Sequence, residues 1–287
     1  MTGSTLKATL SPSRISDFAS CPLKFRYRNI DRLPERPGVE ALRGTVVHQV
    51  LEDLFDLPAE QRTEAFAIGD LQRAFELVLA AQPDARFAID AELGWPHDER
   101  PASADAVAAF MASLPIFLSR YFVIERPEAV EPAHREHYVR SQLDEDLWLH
   151  GYVDRIDVAP TGDIRIVDYK TGRMPGPAYQ PKALFQLTCY ALLWERMHDA
   201  RVRRLMLLYL GSAERLVHDP SQRDVAAAQQ RVREVWTDMK AANAKAQWQA
   251  KPSKLCDWCS FQQRCPAKSS AQPVFEPVAI EYPEERA

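Results

Sequence analysis

The chain has no surplus of basic charge. Its 36 Lys and Arg face 40 Asp and Glu, for a net charge of −4. No global field draws it to nucleic acid, so any polyanion partner needs a local basic groove. The tail after Gln272 holds Glu276, Glu281, Glu284 and Glu285 against Arg286, which leaves only −1 of the total for everything before it. Long apolar runs are also missing. LMLLYL (205–210) falls far short of the about 20 residues that span a bilayer and fits a buried strand. The first residues, MTGSTLKATLSPSRISDF, hold no continuous apolar core of signal-peptide length. A cytoplasmic location without a membrane partner is expected. Five cysteines in a reducing compartment argue against a disulfide framework. No internal repeat and no GxxxxGK phosphate loop is found, which excludes an ATP-driven motor in this chain.

What is present is the composition of a folded soluble protein, 46% apolar and 26% charged, long enough for one elaborated domain or two small ones. Residues 11–30 read as a short helix, capped by Ser11 or Ser13, followed by an aromatic and basic segment. Apolar residues at helical spacing predict a helix over 40–57. Further amphipathic helices are expected at 60–82 and 102–123, around a Pro- and Asp-containing loop at 83–101. Strands follow at 137–143, 147–159 and 163–170, the last two joined by the turn signal Pro160-Thr161-Gly162. A helix at 181–198, a strand at 203–211, a short strand in ERLVHD and a long helix at 221–247 complete a β-β-β-α-β order. That order predicts a mixed sheet with a crossover helix.

Chemistry concentrates at the end of the third strand, IVDYKTG (166–172). Side chains alternate faces in a strand, so Asp168 and Lys170 share a face and Tyr169 points away. The preceding strand offers Asp154 in GYVDRID, and the first long helix offers His48 in RGTVVH. Two carboxylates and an imidazole suit Mg²⁺ or Mn²⁺, and the Tyr169 backbone carbonyl can complete the set. Such an ion beside a lysine suits attack of water on a phosphodiester. Gln186 and Tyr190, at i and i+4 on one helix face, can support a phosphate or the attacking water. Taken singly, each feature has an ordinary reading: a solvated strand pair, a helix-capping histidine, an Asp154–Arg155–Asp157 ion-pair edge.

Cys256-x-x-Cys259-x5-Cys265 places three thiols on one compact segment, with Cys21 as the remote fourth; Cys189, inside a helix, reads as a small buried residue. Four thiolates suit zinc or an iron–sulfur cluster, and spacing alone favours the commoner structural zinc.

The ordered set RGTVVH, GYVDRID, IVDYKTG and QLTCY resembles the PD-(D/E)XK nuclease superfamily, and within it the RecB-type exonuclease branch. The resemblance runs from residue 11 to 267. It implies an α/β fold with a restriction-endonuclease-like core, a mixed central sheet flanked by helices. One nuclease domain over 1–267 is expected, with a helical insertion at about 58–128 and a flexible acidic, Pro-containing tail over 268–287. His48, Asp154, Asp168 and the Tyr169 carbonyl become metal ligands by the same resemblance. Lys170 becomes the catalytic lysine, and Gln186 and Tyr190 become supporting site residues. The iron–sulfur nucleases of this superfamily, such as the AddB nuclease domain, place one cysteine early and three late. That pattern implies a [4Fe–4S] cluster on Cys21, Cys256, Cys259 and Cys265, closing the segment 250–267 onto Cys21. The implied activity is a metal-dependent DNA exonuclease acting on single strands or ends in repair or recombination, with a separate helicase as the implied partner. The rivals are a catalytically silent DNA-binding subunit of a helicase–nuclease complex and a zinc hydrolase unrelated to DNA. Lys24, Arg26 and Arg43 are the basic candidates for DNA contact, interleaved with Phe25 and Tyr27, which read equally well as core.

Overall fold

The computed structural model describes residues 4–35, 38–86, 88–89 and 103–283. The sheet is built on a hairpin. β4 (Leu147–Val158) buries Leu147, Leu149 and Val153 on one face, and β5 (Ile164–Lys170) returns antiparallel to it with Ile156 opposite Ile166. The turn between them needs Gly162, whose φ of +85° lies in the left-handed region that glycine enters without steric cost. Helix α7 (Gln180–His198) then carries the chain over, and β6 (Val202–Tyr209) lies parallel to β5, the βαβ unit that the alternation of elements predicts. β7 (Glu214–His218) is antiparallel to β6. On the other side, β3 (Pro132–Asp144) is antiparallel to β4, and the short β2 (Thr9–Leu10) is parallel to it. The sheet order is β2-β4-β5-β6-β7, with β3 branching from β4. This is the expected mixed sheet flanked by helices.

Both faces of the sheet centre are covered, which is why LMLLYL is continuous rather than alternating. Leu205 and Leu207 join the core beneath α1 (Pro12–Ser20), α7 and α8 (Gln222–Ala244). Met206, Leu208 and Leu210 join a second core formed with α3 (Val39–Leu54), α4 (Glu64–Ala81), α5 (Ala104–Ala112) and α6 (Pro115–Ile124). The helix expected at 102–123 is thus two helices, parted before Pro115, whose ring cannot continue a helix. Together Ala104–Ile124 have a mean hydropathy of 1.8 and are long enough to cross a membrane. They exceed LMLLYL in this respect, yet Phe110, Leu114, Leu118 and Tyr121 are buried against the second core.

Ser11, not Ser13, caps α1, accepting from the Arg14 N–H. After α2 (Pro22–Phe25), residues Arg26–Ile30 wind as a π-type turn. The loop expected at 83–101 lies largely outside the described residues. Within the tail, β8 (Ala279–Glu281) pairs in parallel with β1 (Thr5–Lys7). Asn243 holds Val278 through both its amide donor and its acceptor, at 2.8 and 3.0 Å. The backbone groups of an extended segment are satisfied there, which composition alone does not reveal.

Candidate active site

The shared face of Asp168 and Lys170 is occupied as alternation predicts. Asp168 is 1% exposed, and its Oδ2 lies 2.7 Å from Lys170 Nζ. The contact is an ion pair rather than a directed hydrogen bond, so that oxygen keeps unfilled hydrogen-bonding capacity. Lys170 Nζ donates to Gln186 Oε1 at 3.1 Å, and Gln186 Nε2 donates to the Tyr190 hydroxyl at 2.9 Å. The i, i+4 pair on α7 is therefore the far end of a chain that starts at Asp168. Burial works against the Lys170 charge, but Asp168 beside it holds the ammonium above its usual range. Burial also pushes the Tyr190 hydroxyl up, so it stays a neutral donor. Tyr190 passes directly over Gly151, where a Cβ would meet Tyr190 Cε1 at 2.4 Å. The glycine in GYVDRID is the space through which this ring reaches the site.

Tyr169 faces the opposite way, as expected, and organises the other half. Its carbonyl accepts from His48 Nε2 at 2.8 Å, and its N–H donates to Asp154 Oδ2 at 2.8 Å. A carbonyl only accepts, so Nε2 carries a proton, and Nδ1 lies 3.3 Å from Asp154 Oδ2. A metal-binding imidazole is commonly oriented in this manner, with its other N–H on a carbonyl. The Tyr169 carbonyl, expected from the sequence as a metal ligand, thus also accepts from His48.

One site residue escaped the sequence reading. Glu136 joins His48 and Asp154 in a group whose donor atoms all lie within 4.8 Å of one another. It falls across the β3–β4 ladder from Asp154, between the pairs Arg135–Arg155 and His137–Val153. Its φ of +42° is rare for a side-chain-bearing residue. Asp168 stands outside this tight group, yet its charge, after burial, holds Asp154 well above the ordinary carboxylate range. Burial and then the Asp154 charge push Glu136 up to about 7. Three crowded carboxylates beside an imidazole fit a divalent cation, because a positive ion relieves the repulsion that burial sharpens. A testable consequence follows from the raised Glu136 pKa. The metal-free folded protein binds more protons here than the unfolded chain between the ordinary glutamate range and about 7. Its stability should fall as pH rises through that window, and Glu136→Gln should flatten the fall. Thermal melts in EDTA from pH 5 to 8 check this; equal slopes in both proteins would contradict it.

Behind Tyr169 lies a charged network with no access to solvent. Arg155, fully buried, donates to both Glu125 oxygens at 2.6 and 2.7 Å and to the Tyr169 hydroxyl at 2.8 Å, and pairs with Asp157 at 3.0 Å. The ion-pair reading of DRID therefore holds for Arg155 and Asp157, while Asp154 is engaged at the site.

The four cysteines Cys21, Cys256, Cys259 and Cys265 line one cavity of about 180 Å³, far from Asp168 in sequence. The segment that carries three of them docks through Tyr27, whose hydroxyl donates to the Arg264 carbonyl at 2.8 Å and whose ring packs on Phe261. Cys189 is buried and apart, its thiol pushed up by burial. Phe25 and Tyr27 are core, 2% and 4% exposed. The basic candidates are used inside the fold. Arg26 is buried, bonded to Asp31 at 2.8 Å and set against Trp248 and Phe275. Arg43 pairs with Glu40 and lies over Phe117. Lys24 lines the cysteine cavity and faces Glu35 at 3.8 Å. Aromatic and basic interleaving marks a packed cation–π layer here rather than an open groove.

No curated protein matches the sequence. Two solved structures are similar in fold. One is described as "Putative exonuclease" from Eubacterium rectale, with a TM-score of 0.48 and 11% identity over 88% of this chain and 87% of that one. The other is SSO0001, with a TM-score of 0.42 and 14% identity over 91% of this chain and 87% of that one. The model of the PD-(D/E)XK nuclease superfamily matches residues 9–266. With nearly the whole length matched and a mixed sheet that carries Asp154, Asp168 and Lys170 on adjacent strands, the chain belongs to the PD-(D/E)XK nuclease superfamily.

Proposed function

We propose that this nuclease is a Mg²⁺- or Mn²⁺-dependent DNA exonuclease of the RecB type, acting on single strands or ends in repair or recombination. The observation that carries the reading is the meeting of two groups where the end of β5 meets the middle of β4: the donors His48, Glu136 and Asp154, and the chain Asp168–Lys170–Gln186–Tyr190. An ion bound by His48 Nδ1 and the carboxylates, Asp168 included, would lower the pKa of a bound water and neutralise phosphate charge. Lys170, kept cationic by Asp168, stands where it can orient the attacking water or meet charge developing on phosphate oxygens. Gln186 fixes the ammonium, and the Tyr190 hydroxyl, which accepts from Gln186, keeps its own proton to donate. The chain holds no phosphate loop, so strand separation falls to a separate helicase. The test is cleavage of end-labelled single-stranded and duplex DNA with Mn²⁺. Mononucleotides released from one end support the proposal and reveal the polarity. Internal fragments would make it an endonuclease, and no cleavage by folded protein would favour a silent DNA-binding subunit.

The cysteine cavity is proposed to hold a [4Fe–4S] cluster. Bonds of about 2.3 Å to a single zinc would bring four thiolates within about 3.8 Å of one another. No three of these thiols come within 4.8 Å of one another, so the set is too wide for one small ion. The N–H groups of Lys251 and Ser253 donate to Cys21 and Cys256 Sγ at 3.5 and 3.2 Å. A cluster here ties residue 21 to residue 256, and ligand bonds outweigh a loop-closure cost that grows only logarithmically. Cys256→Ala should therefore lose the brown colour and lower thermal stability, not merely slow cleavage. A colourless wild type carrying one zinc, or a fully stable variant, would overturn this assignment.

A further inference from the structure

The β3–β4 ribbon continues past β5, which pairs with β4 only from Arg155 onward. Alternate residues share a face of a strand, with about 6.8 Å between successive rungs. The rung next to Glu136 and Asp154 is Tyr138 opposite Tyr152, with ring centroids 5.0 Å apart. Both rings are open to solvent, at 43% and 57% exposure. The following rung is Arg140 opposite His150, and the Arg140 guanidinium lies 4.3 Å over Trp148. Arg140 forms no ion pair among the described residues, and its Nε and Nη2 are buried without a hydrogen-bond partner, as is His150 Nδ1. Arg14 and Arg140 both act on His150 as positive charges. Buried guanidinium N–H groups with no acceptor are costly unless a ligand supplies one.

From this juxtaposition we propose that the outer face of the β3–β4 ribbon is a track for single-stranded DNA leading to the metal group. Tyr138 and Tyr152 stack a base one rung from the acidic cluster, and Arg140, backed by Trp148, takes a phosphate further along, with Arg14 and His150 adding positive potential. Three features favour a single strand over another occupant. Exposed rings offer sequence-tolerant stacking, unpaired cations offer backbone contact, and the track is continuous with the site that would cut the strand. The net acidic chain then has its local basic groove, away from Lys24, Arg26 and Arg43. The proposal rests on the nuclease reading for its direction.

The test measures binding of fluorescent dT12 by the full chain in EDTA across a salt series, beside Mn²⁺-dependent hydrolysis of the small diester bis(p-nitrophenyl) phosphate. The double variant Tyr138→Ala/Tyr152→Ala should weaken dT12 binding about 10- to 100-fold, while Tyr138→Phe/Tyr152→Phe keeps it, because stacking needs only the ring. Arg140→Gln should lower the slope of log K against log salt by about 0.7, the share of one phosphate on a single strand. Hydrolysis of the small diester should be unchanged in all three. Wild-type affinity in the double alanine variant, with that hydrolysis intact, overturns the track and leaves the nuclease standing. No diester hydrolysis by the wild type, with dT12 binding still lost in the double variant, overturns the nuclease and keeps the surface. Tighter binding of rU12 or of duplex than of dT12 overturns the assignment to single-stranded DNA.

Discussion

Asp168→Ala and Lys170→Ala should each lower metal-dependent cleavage by at least about 10²- to 10³-fold, the cost of removing one preorganised electrostatic group from an active site. The two act as a unit. Asp168 is buried and holds Lys170 cationic at 2.7 Å, and among the described residues Lys170 is the one cation that pairs with the buried carboxylate. Loss of the lysine leaves Asp168 facing Asp154 without compensation. Loss of the aspartate removes a donor and leaves the ammonium held by Gln186 alone. Because the two belong to one unit, the double variant should be little worse than either single one. Single-turnover cleavage of end-labelled DNA, with circular dichroism to confirm folding, checks both. Cleavage at the wild-type rate by either variant would remove the catalytic assignment of this pair.

Arg155→Ala should destabilise the protein by about 3–5 kcal/mol, because breaking a buried ion pair leaves an uncompensated buried charge. Glu125 would lose its cation, Asp157 would keep Arg165 at 2.7 Å, and the Tyr169 hydroxyl would lose its donor. The effect should reach the site, since the Tyr169 backbone positions both His48 and Asp154. Chemical denaturation gives the stability loss, and Mn²⁺ titration should show weaker binding in the variant that remains folded. A loss below about 1 kcal/mol would mean that water or rearrangement replaces the guanidinium, and that the network is not what anchors Tyr169.

The parts of the site that were legible in the sequence are those fixed by short-range geometry. A two-residue step along a strand placed Asp168 with Lys170 and against Tyr169. A four-residue step along a helix placed Gln186 with Tyr190. The order of elements around the Pro160-Thr161-Gly162 turn required antiparallel β4 and β5, and the crossover helix required a parallel β6. The alternation of GYVDRID did not reveal why its glycine is there, because Tyr190 meets Gly151 only after α7 packs on the sheet.

Glu136 was not legible, for a definite reason. Counting back from the hairpin end, where Asp144 pairs with Leu147, sets His137 opposite Asp154. A register shift between Gln142 and Asp144 moves the ladder by one residue and brings Glu136 there instead. A one-residue slip exchanges every side chain between faces, so no local pattern can show which acid joins a site across a bulged pair. The burial of Arg26 against Trp248 and Phe275 was not legible either, because it joins segments far apart in the chain, whereas the Glu40–Arg43 pair is a three-residue step on one helix. Backbone periodicity within one element thus determined the Asp168–Lys170 pair, the Gln186–Tyr190 pair and the mixed sheet. Tertiary structure alone decided the third carboxylate, the contact of His48 with the Tyr169 carbonyl, the pairing of β8 with β1 and the exposed Tyr138–Tyr152 rung, because each depends on register or burial between segments far apart in the chain.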